Sequence, residues 1–265
     1  MPSLRTALLQ SSGHPGDVSA NLQVLGDAAG RAAAAGAGLL VTSELFLTGY
    51  AIGDAVPELA EPADGPGATA LARIAAEHGI AIACGYPERD GDTLYNSVQL
   101  FGADGSRLAN YRKTHLFGDF ETAHFTPGDE PVVQAELDGV RIGLLICYDV
   151  EFPETVRAHA LAGTELLAVP TALMRPYEIV PQTLLPARAW ESQLYIAYAN
   201  RCGLEGEFHF AGLSCLAAPD GTARARAGAA EDLVTADVDT DSLKASRAEN
   251  TYLSDRRPEL YASLA

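Results

Sequence analysis

Apolar and polar positions run along this chain in two alternating rhythms. Leu4–Leu9 is a short apolar run of strand length. Asp17 then stands where a helix cap belongs, ahead of an Ala- and Leu-rich helix reaching about Ala35. Gly38–Thr42 reads as a second buried strand, and a second helix covers about Ala68–His78, with Gly79 as its C′ residue. Ile80–Gly85 is the next apolar strand. Beyond it, Leu94–Phe101 and Arg107–Arg112 flank the turn residues Gly102–Gly105, a hairpin pattern. Val132–Leu137 and Val140–Ile146 flank Asp138-Gly139 in the same way. A helix follows from Pro153 to Gly163, then a strand at Glu165–Val169, a helix at about Val180–Ser192 and a strand at Leu194–Asn200. A third hairpin turns at Pro219-Asp220-Gly221, and the polar tail from about Asp239 is expected to be partly helical and to end exposed.

Each half of the chain thus carries strand–helix–strand units plus hairpins. Strands that are apolar on both sides need cover on both faces, so the expected class is α/β with mixed sheets covered by helices. No Pro-, Ser- or Gly-rich linker interrupts the pattern, so residues 1–265 are read as one domain.

Composition narrows the function. The chain is 48% hydrophobic and 20% charged, which suits a packed globular protein. Eighteen Lys and Arg stand against 35 Asp and Glu, a formal charge of −17. That field repels phosphates, so neither nucleic acid nor an anionic membrane is expected as a partner. Spread as it is along the chain, the acidity serves solubility and is compatible with a cationic substrate. No apolar stretch reaches 18 residues, and the N-terminal run Leu4–Leu9 is not a secretory signal. Cys84, Cys147, Cys202 and Cys215 lie far apart with no C-x-x-C pair. Four free thiols in a reducing cytoplasm are therefore expected, not a zinc knuckle or disulfide scaffold.

Three reactive side chains directly follow buried strands, where a rigid sheet can hold a group that substrate still reaches. Cys147 ends an apolar run, and Pro153 a few residues on suits the start of a helix. Strand, turn and helix together would lift the thiol and leave backbone N–H groups free behind it. On residue type alone, Cys147 could equally be a core cysteine, as Cys84, Cys202 and Cys215 are read to be. Glu44 follows Leu39–Thr42 and precedes Leu45-Phe46-Leu47. Those neighbours desolvate the carboxylate and push its pKa toward that of a useful base. Lys113 follows Tyr111-Arg112, with Glu121 eight positions later, and an ammonium there could steady a developing oxyanion. Other chemistries find less support. His115, His124, His159 and His209 have no distinguishing context, no H-E-x-x-H or similar metal spacing occurs, and phosphate-binding glycine loops are absent.

The blocks Ser43–Tyr50, Tyr111–Leu116 and Cys147–Glu154, in that order, resemble the hallmark motifs of the nitrilase superfamily of carbon–nitrogen hydrolases. The resemblance covers nearly the whole chain and is closest to the aliphatic amidase branch that includes 5-aminopentanamidase and the R-stereoselective amidases. Tyr95–Gln99, Pro170–Met174 and Tyr198–Gly203 support it. It implies a four-layer α-β-β-α sandwich of the nitrilase type. It also implies a homodimer or higher homo-oligomer, with the tail from about 240 to 265 packing on a partner subunit, and no cofactor or metal. By the same resemblance Cys147 is the nucleophile, Glu44 the general base, Lys113 the oxyanion cation and Glu121 a second, positioning glutamate. The backbone N–H of Tyr148 would complete the oxyanion site. Tyr50, Asp149, Thr171 and Ala172 are the expected pocket residues, and Asp119, Asp149 and Glu151 are candidates to hold a substrate ammonium. The implied reaction is hydrolysis of a small aliphatic primary amide, including ω-amino amides such as 5-aminopentanamide. Nitrile and N-carbamoyl-amine hydrolysis use the same residues and stay open, as does a non-enzymatic binding role on the same fold.

Overall fold

Why two sheets stack face to face is visible in the alternation of the first three strands. The computed structural model describes residues 3–261. Strand β1 (Ser3–Gln10) turns Leu4 and Leu8 to one side and Ala7 and Leu9 to the other. Helix α1 (Val18–Ala34), capped by the Asp17 carboxylate, covers the second side with Leu25, Ala28, Ala29 and Ala32. Strand β2 (Leu39–Val41) repeats the division, with Leu39 and Val41 inward and Leu40 under the helices. A short helix α2 (Val56–Leu59) leads to α3 (Pro66–His78), which ends on the left-handed Gly79 and packs beside α1. Strand β3 (Ala81–Asp90) continues the pattern: Ala81 and Ala83 face inward, Ile82 and Cys84 outward. The hairpin of β4 (Thr93–Phe101) and β5 (Arg107–Arg112) closes this first sheet.

After helix α4 (Gly118–His124), the second half repeats the scheme. A hairpin of β6 (Val133–Leu137) and β7 (Val140–Leu144) leads through α5 (Pro153–Leu161) to β8 (Leu166–Thr171). Helix α6 (Leu185–Ser192) then leads to β9 (Tyr195–Asn200). Strands β7, β8 and β9 are parallel, as are β1, β2 and β3, and antiparallel strands flank each trio. A small two-stranded ribbon pairs β10 (Cys202–Glu205) with β11 (Phe208–Ala211). Strands β12 (Cys215–Ala217) and β13 (Ala223–Arg226) finish the second sheet, while β14 (Asp232–Asp239) crosses back to pair with β1. The largest apolar cluster joins the inner faces of both sheets to α5 and α6. The layers therefore run helix, sheet, sheet, helix, in agreement with the expected four-layer sandwich.

The differences from the sequence reading have physical causes. The strand expected over Val140–Ile146 stops at Leu144. The helix expected over Val180–Ser192 opens with a wide π turn, Val180–Leu184, because Pro181 and Pro186 interrupt its amide donors. Strand β14 is not declared by its pattern, because its alternation is diluted by Asp232, Thr235, Asp237 and Asp239, and only its Val238 is fully buried. The polar tail is partly helical, as expected. Helix α7 (Thr240–Glu249) docks on its own chain through buried Leu243. Ser246 reaches the Gln193 side chain, and Arg247 donates to the carbonyls of Gln193 and Thr164. Beyond it a last short turn, α8 (Pro258–Tyr261), is exposed, and residues 262–265 lie outside the described residues.

Candidate active site

Strand ends from both sheets meet at one edge of the sandwich, the usual place for a site in an α/β fold. Each leaves its sheet with a defined local geometry. After β2 the chain bends through Ser43 and Glu44 into Leu45, whose φ of 47° lies in the left-handed region. Gly85 of β3 is the reason this bend fits: a Cβ there would stand 2.6 Å from the Leu45 nitrogen and 2.7 Å from the Ser43 carbonyl. Glu44 N–H donates to the Thr171 carbonyl at the end of β8, tying the two sheets together. Lys113 leaves β5 with its amide on the Asn96 carbonyl. Cys147 opens a 3-10 turn (Cys147–Glu151) with φ 45°, a strained value for a residue with a side chain. Strand, strained cysteine and turn form the elbow geometry expected from the sequence.

The charged side chains form one buried cluster. Lys113 Nζ lies 2.6 Å from Glu44 Oε1 and 2.7 Å from Glu121 Oε1, and all three side chains are inaccessible to solvent. Asn96 Nδ2 donates to Glu44 Oε1 at 2.7 Å, leaving Oε2 of that carboxylate buried without a hydrogen-bond partner. Glu121 is clamped by the Tyr50 hydroxyl at 2.8 Å and the Phe117 amide at 2.9 Å. Burial raises the Glu44 pKa to about 7, with Lys113 pulling it down and Glu121 pushing it up. Burial also works against the Lys113 charge, but Glu121 and Glu44 outweigh it and hold its pKa well above the ordinary lysine value. The Cys147 thiol is pushed well above its ordinary pKa by burial first and by Glu44 second, while Lys113 and the Ala172 amide oppose the shift. The resting pair is therefore a protonated thiol beside a carboxylate poised near neutrality, the state in which a proton can be handed over on demand.

The remaining expected residues divide. Tyr50 is buried with its ring among Phe120, Phe208 and Phe210, and its hydroxyl serves Glu121. Ala172 gives its amide to the Cys147 sulfur, and Thr171 supplies the carbonyl that anchors Glu44. Tyr148 follows Cys147 at the head of the turn, where the first amides of a helical turn lack intrahelical partners. Its ring packs edge-on to Phe117 and Phe152. Asp149 is not offered to a ligand. Its Oδ1 accepts from Thr114 and the His115 amide, and its Oδ2 from Tyr111 and the Ile146 amide, at 2.9 to 3.1 Å. Through these bonds it ties the turn that carries Cys147 to the segment Tyr111–His115. Asp119 is exposed on α4, whereas Glu151 is half-buried at the end of the turn. Among the histidines, His159 is held neutral by burial, with its pKa lowered to about 4. His115 lies 2.9 Å from Asp149 Oδ1 and stacks on Phe152. Cys84, Cys202 and Cys215 are buried away from this cluster of charges.

Asn96 is a partner of Glu44 that sequence reasoning named only within a matching block. The available signal is a polar pair, Asn96-Ser97, within a strand that ends in the apolar Val98, Leu100 and Phe101. Among the described residues, no group of three or more His, Cys, Asp or Glu is placed to hold a metal ion.

The family model described as carbon-nitrogen hydrolase matches residues 5–248. The chain belongs to this family. It is 51% identical over 265 residues to the "Hydrolase in pqqF 5'region" of Pseudomonas protegens, covering 99% of this chain and 92% of that protein. It is 37% identical over 255 residues to an (R)-stereoselective amidase of Pseudomonas sp, covering 96% of this chain and 92% of the relative. Among solved structures, the nitrilase-superfamily amidase of Nesterenkonia sp. AN1 superposes with a TM-score of 0.90. That protein, here a cysteine-to-alanine mutant in complex with butyramide, is 37% identical, with 99% of this chain and 97% of that one covered. The carbon–nitrogen hydrolase has two large mixed sheets, as its structural neighbours do, and no helix among the described residues is long and apolar enough to cross a membrane.

Proposed function

We propose that this enzyme hydrolyses small aliphatic primary amides to a carboxylic acid and ammonia through a thioester on Cys147. The observation that carries the reading is the pairing of a strained, buried Cys147 with a Glu44 carboxylate that keeps one oxygen unclaimed. Glu44 takes the thiol proton as sulfur attacks the carbonyl carbon. The oxygen that becomes anionic rests on Lys113 Nζ and the Tyr148 amide, and losing one such donor costs about 3–4 kcal/mol. Collapse of the tetrahedral intermediate breaks the C–N bond, with the Glu44 proton passing to the leaving nitrogen, so ammonia departs and a thioester remains. Glu44 next takes a proton from water, whose oxygen attacks the thioester carbon. The thiolate leaves and is reprotonated as the acid is released. Glu121 holds Lys113 in position between the two carboxylates.

The short aliphatic amide bound by the Nesterenkonia protein supports the substrate class. The buried apolar cluster of Leu45, Tyr50, Phe125, Ala172, Met174 and Phe210, which includes the neighbours of Glu121 and Cys147, suits the same chemistry. An ω-amino group on the substrate is supported by Glu151. This residue is half-buried at the end of the turn that carries Cys147 and feels the charges of Lys113 and Arg188. A homodimer is supported by exposed apolar residues on the outer helices, Leu161 and Trp190 among them. Light scattering at micromolar concentration should then give twice the mass of 27.8 kDa, and a monomer would overturn that part. Unpaired, buried cysteines suit a reducing compartment.

Ammonia release from a panel of amides, nitriles and N-carbamoyl amines tests the reading. Turnover of amides such as butyramide and 5-aminopentanamide is expected, and Cys147→Ala should abolish it while the circular dichroism spectrum stays unchanged. Undiminished turnover in that variant would overturn the nucleophile, and products from nitriles or carbon dioxide from carbamoyl compounds alone would replace the substrate class.

A further inference from the structure

A second buried ion pair lies behind the site, outside the reaction described above. Arg201, the first residue after β9, is almost wholly buried, as is its partner Glu205 at the end of β10, with Nη1 and Oε2 2.8 Å apart. Arg201 Nη1 also donates to the Ser12 carbonyl at 2.6 Å, and its own amide donates to the Thr171 carbonyl, the same oxygen that receives Glu44 N–H. The other Glu205 oxygen, Oε1, accepts the Ala51 amide at 2.6 Å. Ala51 follows Tyr50, whose hydroxyl holds Glu121 Oε1, and Glu121 in turn holds Lys113. Gly49 completes the fit: with φ 91° and a Cβ position 2.9 Å from Glu205 Oε1, only glycine lets the loop close down on this carboxylate.

We infer that Glu205 is a positioning residue: by accepting the Ala51 amide it fixes the loop carrying Tyr50, and so sets where Glu121 and Lys113 stand. The pair is incompletely satisfied, since Arg201 Nε and Nη2 are buried with no hydrogen-bond partner, and replacing such a pair by apolar residues of similar size is often neutral or stabilising. Yet an apolar side chain at 205 would leave the Ala51 amide with no acceptor, and the loop free to lift Tyr50 away from Glu121. Arg201 thus acts to hold the Glu205 carboxylate in the orientation that the loop requires. This inference rests on the amidase reading of the site, because its readout is the turnover of an amide.

The test separates the acceptor from the charge. Glu205→Ala alone leaves the Arg201 guanidinium buried and unpaired, and loss of folding would hide the effect. Two compensated proteins avoid this. Arg201→Met with Glu205→Gln removes both charges but keeps an amide oxygen for Ala51. Arg201→Met with Glu205→Leu removes both charges and the acceptor. With butyramide, the glutamine pair should keep kcat within about threefold of wild type, and the leucine pair should lose at least about tenfold. In the leucine pair the acidic limb of kcat/KM should also move, because Lys113 and Glu121, which pull the Glu44 pKa down and up, no longer stand where they do. Adding Tyr50→Phe to the leucine pair should cost less than about twofold more, since both lesions act on one path. Equal kcat in the two pairs with an unmoved acidic limb would overturn the inference, as would losses that multiply with Tyr50→Phe. No turnover by the wild type would instead remove the amidase reading.

Discussion

Two wholly buried carboxylates, Glu44 after β2 and Asp149 within the turn that carries Cys147, are bonded in opposite ways. Asp149 is saturated: Tyr111, Thr114, His115 and the Ile146 amide share its two oxygens. Glu44 has Lys113 and Asn96 on Oε1 and nothing on Oε2. A filled carboxylate holds structure, since each donor it loses becomes an unpaired buried group. A half-filled one is held back from being a good anion by burial, and that cost is what places its pKa in the working range. The comparison yields a rule for this site: occupancy of the oxygens, more than burial, separates the group that works from the group that braces.

The rule can be broken or sharpened by substitution. Glu44→Gln should give the largest loss of activity, about 10³-fold in kcat, because no neighbouring base can take the thiol proton. Its stability should move the other way. A carboxyl whose pKa is raised on folding, here from 4.5 to about 7, favours the folded state at low pH and loses that advantage as pH rises from 4.5 through 7. Above pH 7 the variant should therefore melt no lower than wild type by calorimetry, and a clear drop in Tm would contradict the assignment. Asp149→Ala should reverse the profile. With four donors orphaned, it should cost about 3–5 kcal/mol of stability, or roughly 10 °C in Tm. Its residual activity per folded molecule should exceed that of Glu44→Gln, and the reverse order would break the comparison. Asn96→Leu should be milder. Losing that hydrogen bond removes a contact that lowers the Glu44 pKa, so the acidic limb of kcat/KM should move upward and activity at pH 6 fall about 3- to 10-fold. An unchanged limb would mean that Asn96 does not tune the base. Dialysis against EDTA should have no effect on turnover, and a loss restored by a divalent cation would require a metal in the chemistry.

Much of this was legible from residues alone. Apolar runs located the central strands, because strands covered on both faces carry an unmistakable pattern. Order and spacing singled out Glu44, Lys113 and Cys147 as strand-end groups, and their motif blocks supplied the remaining roles. The bracing by Asp149 is not legible, because a sequence gives the presence of a carboxylate but not the donors around it. Those donors come from Tyr111 and Thr114, more than thirty residues upstream. Helix α4, which carries Glu121, and the ribbon of β10 and β11, which carries Glu205, are too short for periodicity to declare them. Arg201 within the motif Tyr198–Gly203 drew no attention as a charge, although a buried arginine among apolar neighbours is a signal worth following.

The pH dependence of kcat/KM on butyramide is the most direct measurement of the central claim, that Glu44 is a base tuned by burial beside a protonated thiol. Activity should fall tenfold per unit of pH below an apparent midpoint near 7, the value that burial gives Glu44. A profile flat down to pH 5, with its midpoint at that of an ordinary carboxylate, would contradict it.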